Sequence, residues 1–382
     1  MYIKISLFLL GMCCTCVLNA AYESNHNGTT MSFENVILSE NYNDYLVVKT
    51  EEWLEKEIRS NVYDKLKNIS LFKDIPSGDI LINPLGGWSN FNYLIRVIPE
   101  NDKYVLRLSR QGSSLIKNQI ARGYKNEFIN SNRMFLLGLG AEVLYFNEED
   151  GTFLVRYIEN KKTLESSDLV DVDILMQVIE TLYKLHYSKI KLNNDANIFT
   201  ELQYLHTLFD TCCNAEVFSD LPNLMSEVVK LKRLFEHITI EQAPTHGDLD
   251  ANNLLLAFDG IKLIDWEYAG NDDAVRDLAY LSVEADLHAE HDEVIINYYL
   301  DKTEDKTLRQ RFIVYKALIQ LYRFFWLRLQ VDIGDHAVEK ENFYELSKVV
   351  YDDCKRIINT TEFIEAVLFL KRHKNTLKYD VF

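Results

Sequence analysis

The chain reads His246-Gly247-Asp248-Leu249-Asp250-Ala251-Asn252-Asn253, then Ile264-Asp265-Trp266-Glu267, then Arg276-Asp277-Leu278-Ala279. Phosphoryl transfer needs a carboxylate beside the accepting hydroxyl, and an amide oxygen with a second carboxylate to hold Mg²⁺ on the nucleotide phosphates. Asp248, Asn253 and Asp265 supply these groups in the expected order and at loop-length spacing. The stretch therefore predicts a phosphoryl-transfer site. Asp248 would accept the hydroxyl proton or orient the hydroxyl, and Asn253 and Asp265 would bind the metal.

The same three residues also have a purely structural interpretation. Asp248 could cap a helix, Asn253 could occupy a turn, and Asp265 could cap the end of a strand. Each of these roles is plausible alone. The combination of all three in one register favours the catalytic interpretation over three independent structural roles.

The residues after Asp265 indicate which class of phosphotransferase the stretch resembles. A protein kinase would have Asp-Phe-Gly here, a long activation segment ending in Ala-Pro-Glu, and Lys at the position of Asp250. Asp-Trp-Glu stands here instead, and only eleven residues separate Asp265 from Asp277. The stretch resembles the small-molecule branch of the kinase-like fold, the choline/ethanolamine kinase and aminoglycoside phosphotransferase superfamily. Residues 264–270, IDWEYAG, are most similar to bacterial-type choline kinases.

This resemblance implies an α+β protein with a two-lobed protein-kinase-like fold. Residues 31–158 would form a small nucleotide-binding N-lobe with an antiparallel β-sheet, and residues 159–382 a larger, mainly helical C-lobe for catalysis and acceptor binding. A length of 382 residues fits two lobes. Periodicity predicts strands at residues 79–97, 104–108 and 153–158 and through Leu144, and helices around residues 117–137, 172–185 and 315–329.

A glycine-containing segment precedes the site in the order that the resemblance requires. Residues 85–94, LGGWSNFNYL, place two glycines and a serine between β-type runs. Consecutive glycines let backbone amides approach phosphate oxygens without interference from a Cβ. Gly87, Ser89 and Asn90 are therefore predicted to bind ATP. The alternative is an ordinary hairpin turn.

Three further residues are assigned to ATP by the resemblance. Arg107, alone among apolar residues of its strand, would contact the α- and β-phosphates, and Glu127 would pair with it. The alternative is an edge-strand arginine and a solvated helix glutamate. Residues 155–159 would form the hinge that recognises adenine, with Tyr157 at its centre.

The acceptor prediction depends on residues after Asp277. A quaternary ammonium is bound by aromatic faces and a carboxylate, because it cannot donate strong hydrogen bonds. The resemblance implies a carboxylate at Glu284 and two tryptophans three positions apart on a late helix. Trp326 aligns with the second tryptophan, whereas Arg323 stands at the first, a departure from the family pattern.

Tyr322 or Phe325, adjacent on the helix, could replace the missing aromatic group, and Asp250 and Glu267 complete the predicted acceptor-binding set. The aromatic residues have an alternative role. Tyr322 and Trp326 lie on an apolar helical stripe, and such stripes usually face a protein core.

A net charge of −17 argues against nucleic acid or an anionic membrane surface as the main partner, and suits a cationic substrate. Residues 1–20 resemble a secretory signal peptide and are too short for a convincing membrane span. Residues 1–30 could therefore be a leader, or translation could begin at Met31. A leader would direct the chain to the secretory pathway, whereas ATP use favours the cytoplasm. The sequence therefore leaves the location open.

Cysteines and sequons do not resolve the location. Three of the six cysteines lie within the first 20 residues, and Cys212, Cys213 and Cys354 make a poor disulfide framework. Sequons occur at Asn27, Asn68 and Asn359.

The leading hypothesis is an ATP- and Mg²⁺-dependent kinase that converts choline, or a related amino alcohol, to its phosphate ester, with a place in phospholipid biosynthesis. A second hypothesis changes the acceptor to ethanolamine, thiamine, a sugar or an aminoglycoside. A third is a secreted pseudokinase that binds a ligand without catalysis. The intact Asp248, Asn253 and Asp265 argue against the third hypothesis, and the oligomeric state is left open.

Overall fold

The computed structural model describes residues 59–86, 90–98, 100–109, 123–213, 218–333 and 340–373. The predicted leader and two of the predicted phosphate-binding residues, Gly87 and Ser89, lie outside these ranges.

The N-terminal part is built on an antiparallel sheet of five strands in the order β1-β2-β3-β5-β4. The strands are β1 (Ile80–Gly86), β2 (Asn90–Val97), β3 (Asp102–Ser109), β4 (Val143–Phe146) and β5 (Phe153–Arg156). Alternate residues of β2 and β3 point to a small core, to which Ile95, Leu106 and Leu154 contribute fully buried side chains. Residues 59–67 are helical, and helix α1 (Tyr124–Leu136) leads from the sheet region toward β4.

The C-terminal part is mainly helical and contains two small antiparallel sheets. Strands β6 (Asn160–Thr163), β8 (Leu254–Ala257) and β9 (Gly260–Leu263) form one, and β7 (Gln242–Thr245) and β10 (Gly270–Asp273) form the other. The helices are α2 (Val172–His186), α3 (Ile198–Cys212), α4 (Leu221–Phe235), α5 (Ala274–Glu284), α6 (Ala289–Leu300), α7 (Leu308–Ile333), α8 (Lys340–Ile358) and α9 (Thr361–His373).

Helix α2 illustrates how the sequence produces these elements. The side chain of Asp171 accepts hydrogen bonds from the backbone N–H groups of Asp173 and Ile174, which caps the first turn. Leu175, Val178, Ile179, Leu182 and Leu185 are all fully buried on one face. Burial of each such side chain contributes about 1.5–3 kcal/mol, so packing against the larger core determines the orientation of the helix.

Helix α7 organises the C-terminal part, because it packs against α3, α5, α8 and α9. None of the helices in the described part of the chain combines the length and the apolar character that a membrane span requires.

The predicted fold class, an antiparallel N-terminal sheet followed by a mainly helical part, is confirmed. Two predicted boundaries need correction. The described part of the helix predicted at residues 117–137 begins at Tyr124, because Gly123 has a φ of +82°, a conformation that interrupts a helix; residues 117–122 lie outside the described ranges. Strand β5 ends at Arg156 and not at Ile158, since Arg156, opposite Tyr104, is the last residue of β5 that pairs with β3.

Candidate active site

The β8–β9 hairpin brings the predicted metal ligands together. Leu254 pairs with Leu263 in this hairpin, so Asn253, just before β8, and Asp265, just after β9, lie at the same end. The backbone N–H of Ile264 donates to the carbonyl oxygen of Asn253 over 3.0 Å. The sequence spacing between the two ligands is therefore the length of one hairpin.

Asp248 is held by two hydrogen-bond donors. The Nδ2 atom of Asn253 donates to Oδ2 of Asp248 and to its carbonyl oxygen, each over 3.0 Å. The hydroxyl of Tyr280 donates to Oδ1 over 3.1 Å. Because both carboxylate oxygens have partners, the orientation of Asp248 is set before any substrate arrives.

The carboxylate of Asp248 lies in strongly acidic surroundings. Burial raises its pKa well above the ordinary value, and the nearby carboxylates of Asp265, Asp250, Glu267 and Glu284 raise it further. A carboxylate with a raised pKa is a stronger proton acceptor than an ordinary one. Added positive charge would stabilise its ionised form, so the surroundings favour cationic ligands.

A second buried carboxylate, Asp277, fixes the backbone that precedes Asp248. It accepts hydrogen bonds from the backbone N–H groups of His246 over 2.7 Å and Gly247 over 3.0 Å, and from Nε2 of His186 over 3.0 Å. Burial acts to raise the pKa of Asp277, but the bonds from His186 and the two N–H groups outweigh burial and lower it. Asp277 is thus an ionised anchor for the loop.

His246 connects this loop to the segment that carries Asp265. Its Nε2 donates to the carbonyl oxygen of Ile264 over 2.9 Å, and its Nδ1 accepts from the backbone N–H of Asp248 over 3.3 Å. The imidazole ring also packs against Trp266, with centroids 4.6 Å apart. Burial lowers the pKa of His246, which agrees with a neutral ring that has one donor and one acceptor nitrogen.

Gly247 leaves no room for a side chain in the catalytic loop. Its φ is +80°, and a Cβ would lie 2.6 Å from the carbonyl oxygen of Tyr268. Gly247→Ala must therefore shift the loop, and a misplacement of about 1 Å costs on the order of 10²-fold in rate. We expect kcat to fall by that factor and the Tm to fall as well, which steady-state kinetics and thermal melting will measure.

Gly138→Ala is the matched control for this variant. Gly138 has a φ of +72°, but an added Cβ would meet nothing within 4 Å. The substitution introduces backbone strain of about 1–3 kcal/mol without a collision, so the Tm should fall while kcat stays close to the parent value. Equal losses of kcat in the two variants would contradict the role of the Gly247 contact.

Arg107 links strand β3 to helix α1 and to Asp265. Its Nη1 and Nη2 atoms donate to the two carboxylate oxygens of Glu127, with 2.6 Å between Nη2 and Oε2. Nη1 also lies 3.2 Å from Oδ1 of Asp265, and the guanidinium lies 4.8 Å from the centroid of the Phe153 ring. Burial acts to lower the pKa of Arg107, but Glu127 and then Asp265 raise it above its ordinary value. The Arg107–Glu127 pair that the resemblance implied is therefore present, and it holds the guanidinium of Arg107 beside Asp265.

Asp265 has a left-handed backbone, with φ 66° and ψ 71°. A residue other than glycine in this region is uncommon and costs of order 1–3 kcal/mol. The strain is maintained by the rigid hairpin on one side and by Arg107 on the other.

The chemistry of Asn253 and Asp265 fits Mg²⁺, which prefers carboxylate and amide oxygens. Because the Asn253 amide nitrogen donates to Asp248, its side-chain oxygen is the atom suited to a metal. Within the described ranges, no three His, Cys, Asp or Glu side chains form a metal cage. Mg²⁺ in nucleotide sites uses one or two carboxylates and completes its shell with phosphate oxygens and water, and the one carboxylate and one amide of this pair fit that pattern.

The remaining described residues that were predicted to bind the nucleotide, Asn90 and Tyr157, lie on or next to the N-terminal sheet. Asn90 is buried at the start of β2. Tyr157 follows β5, and its backbone N–H donates to the carbonyl oxygen of Lys103 over 3.0 Å. That N–H is engaged, so adenine would have to use other backbone groups of the predicted hinge.

Glu284 and Arg323, two positions assigned to the acceptor region, form an ion pair that the sequence pattern did not predict. Nε of Arg323, in the middle of α7, lies 2.8 Å from Oε1 of Glu284, the last residue of α5. Burial raises the pKa of Glu284, and Arg323 opposes this shift. The carboxylate assigned to a cationic acceptor thus already has a cation beside it.

Three tyrosines lie near Asp248. The pKa values of Tyr268 and Tyr280 are raised, first by burial, and the hydroxyl of Tyr322 raises both further. The negative charge of Asp248 also raises the pKa values of Tyr268 and Tyr280. Tyr280 thus contacts the predicted proton acceptor directly, and Tyr268 and Tyr322 belong to the same group of interacting phenols.

The other predicted acceptor residues occupy different environments. Glu267 is buried, and its charge reaches Asp248. Asp250 uses Oδ1 to cap the short turn that follows it. Trp326 is half-buried and packs edge-on against Phe343 of α8, with 6.1 Å between ring centroids.

Sequence reasoning missed the support that fixes these groups. Tyr280 and His186 were not predicted, because a tyrosine on an apolar helix face and a histidine near a helix end carry no distinctive spacing. Asp277 was recognised as part of a motif, but its role as the backbone anchor was not. The sequence signal for Asp277 is that it is an acidic residue in the first turn of α5.

Solved structures with the same fold were found by comparison. A choline/ethanolamine kinase family protein from Mesorhizobium loti has a TM-score of 0.68 and 22% identity, over 83% of this chain and 99% of the other. The choline kinase LicA from Streptococcus pneumoniae has a TM-score of 0.64 and 22% identity, over 78% of this chain and 99% of the other.

Sequence comparison adds a relative and a family. The protein LicA of Haemophilus influenzae is 28% identical over 282 residues, which cover 71% of this chain and 80% of the relative. The family model for choline/ethanolamine kinase matches residues 82–368, which include the whole described site. The chain belongs to the choline/ethanolamine kinase family and is a phosphotransferase that acts on an alcohol group.

Proposed function

We propose that the chain transfers the γ-phosphate of ATP, with Mg²⁺, to the hydroxyl of choline or a related amino alcohol. The observation that carries this proposal is the arrangement of Asp248, which is held by Asn253 and Tyr280 beside the Asp265 carboxylate. The acidic surroundings of Asp248 and the nearby phenol rings support a cationic acceptor.

The residues divide the work of phosphoryl transfer. Asp248 accepts the proton of the substrate hydroxyl, or orients it, while Asn253 and Tyr280 keep its carboxylate in place. Asn253 and Asp265 would hold Mg²⁺, which neutralises phosphate charge when it is bound. Arg107 adds a fixed positive charge next to Asp265, on the nucleotide side.

The acidic groups near Asp248 favour a cationic acceptor over a neutral one. Asp250 and Glu267 both act electrostatically on Asp248. A desolvated site of this charge would attract an ammonium group and repel an anionic alcohol. A sugar would gain nothing from these charges, which places it behind the amino alcohols.

An acceptor panel tests the proposal. The purified chain with ATP and Mg²⁺ is offered choline, ethanolamine, thiamine, glucose and an aminoglycoside, and phosphate-ester formation is measured at equal concentrations. We expect the highest kcat/KM with choline or ethanolamine. A preference for glucose would overturn the amino-alcohol assignment, and absence of any phosphate ester would favour the pseudokinase alternative.

Trp326→Leu tests whether Trp326 contacts the acceptor. A cation–aromatic contact in a desolvated site is worth about 2 kcal/mol, which corresponds to a rise in choline KM of roughly thirtyfold. The described aromatic contact of Trp326 is with Phe343, so we expect instead a lower Tm with the choline and ATP KM values near those of the parent. A large rise in choline KM alone would restore Trp326 to the acceptor site.

A further inference from the structure

Glu284 and Arg323 form a largely desolvated ion pair beside the acceptor side of the active site. The side chains are 16% and 19% exposed, and Nε and Oε1 are 2.8 Å apart. Nη1 of Arg323 also donates to Oε1 of Gln320 over 3.2 Å, one turn earlier on the same helix. The guanidinium is therefore held at both the Nε and Nη1 positions.

The field of this pair reaches the reacting groups. Tyr280 donates its hydroxyl to Asp248. The negative charge of Glu284 raises the pKa of Tyr280, and the positive charge of Arg323 lowers it. The two charges thus oppose each other at a group in direct contact with the predicted proton acceptor.

An ammonium group could bond to Glu284 directly only if Arg323 moved away. That exchange would leave a largely buried guanidinium without its counter-ion, and an unpaired buried charge is strongly unfavourable. An incoming cation carries the same charge as the guanidinium that it would displace, so the exchange has no electrostatic gain.

We propose that Arg323 is a specificity-determining residue that neutralises Glu284, and that the acceptor binds while this ion pair stays closed. The inference rests on the proposed function, since it concerns the acceptor of the same reaction. Its consequence is that Arg323 lowers the preference of the enzyme for cationic over neutral alcohols, relative to a site with Glu284 alone.

Four enzymes test the inference: the parent, Glu284→Gln, Arg323→Gln and the double variant. The acceptors are choline and 3,3-dimethylbutan-1-ol, which has nearly the same shape without the charge. Glu284→Gln leaves an unpaired positive charge and should raise the choline KM roughly tenfold, whereas Arg323→Gln leaves an unpaired negative charge and should lower it by a similar factor. The KM of the neutral alcohol should stay within about threefold of the parent value in all four enzymes.

The double variant gives the decisive comparison, because it replaces a neutral ion pair with a neutral amide pair. We expect its choline KM to return to within about threefold of the parent value. If Glu284 instead bonds directly to the ammonium, the double variant will be as impaired as Glu284→Gln, and the inference is overturned. Arg323→Lys keeps the charge and should resemble the parent, which provides a second test if a single variant fails to fold.

Two controls separate this result from other causes. Arg309 lies on the same helix α7 as Arg323, about 21 Å away along the axis at the usual rise per residue, and pairs with Glu293 of α6. Arg309→Gln should leave the choline KM unchanged. The ATP KM and Tm of each variant report on folding.

Failure of the inference is distinct from failure of the proposed function. If the parent phosphorylates choline and the double variant does not recover, only the role of Arg323 is wrong. If the parent prefers another cationic alcohol, the same four enzymes are compared on that alcohol. If it phosphorylates no cationic alcohol, both the inference and the amino-alcohol proposal are overturned.

Discussion

Asp248→Asn is expected to lower kcat by roughly 10² to 10⁴, the range typical of an acid–base group, with ATP affinity and Tm close to the parent values. The amide can replace the hydrogen bonds of the carboxylate. Its oxygen can accept from Asn253, and its nitrogen can donate to the oxygen of Tyr280. The variant therefore removes the proton acceptor with little change in the geometry around it.

Asp259→Asn is the matched control, because Asp259 lies at the tip of the β8–β9 hairpin with its side chain 72% exposed and paired with Lys262. Its kcat should equal that of the parent. Turnover of Asp248→Asn within about tenfold of the parent would remove Asp248 from the role of proton acceptor.

Asp265→Ala is expected to abolish measurable turnover and the dependence of nucleotide affinity on Mg²⁺. The substitution removes the one carboxylate in the proposed metal pair, and Asn253 alone is a weak ligand for Mg²⁺. Arg107 keeps its bidentate partner Glu127, so the N-terminal sheet should remain folded. Titration calorimetry with ADP, with and without Mg²⁺, measures the effect.

Asp259→Ala serves as the control for this titration, since it removes an exposed carboxylate from the same hairpin. It should retain the full response to Mg²⁺. A normal increase of nucleotide affinity with Mg²⁺ in Asp265→Ala would show that the metal binds elsewhere.

The parts of the site that one local stretch specifies were predictable from sequence. Asn253 and Asp265 flank a hairpin whose length is visible in the sequence, so their proximity follows from antiparallel pairing. The helix of residues 172–185 was likewise visible from apolar spacing, because one face of α2 is buried throughout.

The parts that depend on helix packing were not predictable. Glu284 and Arg323 meet only because α5 and α7 pack against each other, and no spacing rule links residues on separate helices. The sequence showed Arg323 as a departure from a family pattern, but the structure was needed to find its partner. The contacts of Tyr280 and His186 were hidden for the same reason.

The central claim is that this site moves a phosphoryl group from a nucleotide to an alcohol, and phosphorus-31 NMR tests it most directly. The purified chain is incubated with ATP, Mg²⁺ and choline, and the spectra are compared with those from Asp248→Asn. The account predicts equal amounts of ADP and a phosphomonoester from the parent, and almost none from the variant. ADP with inorganic phosphate alone, or equal ester formation by both enzymes, would contradict the account.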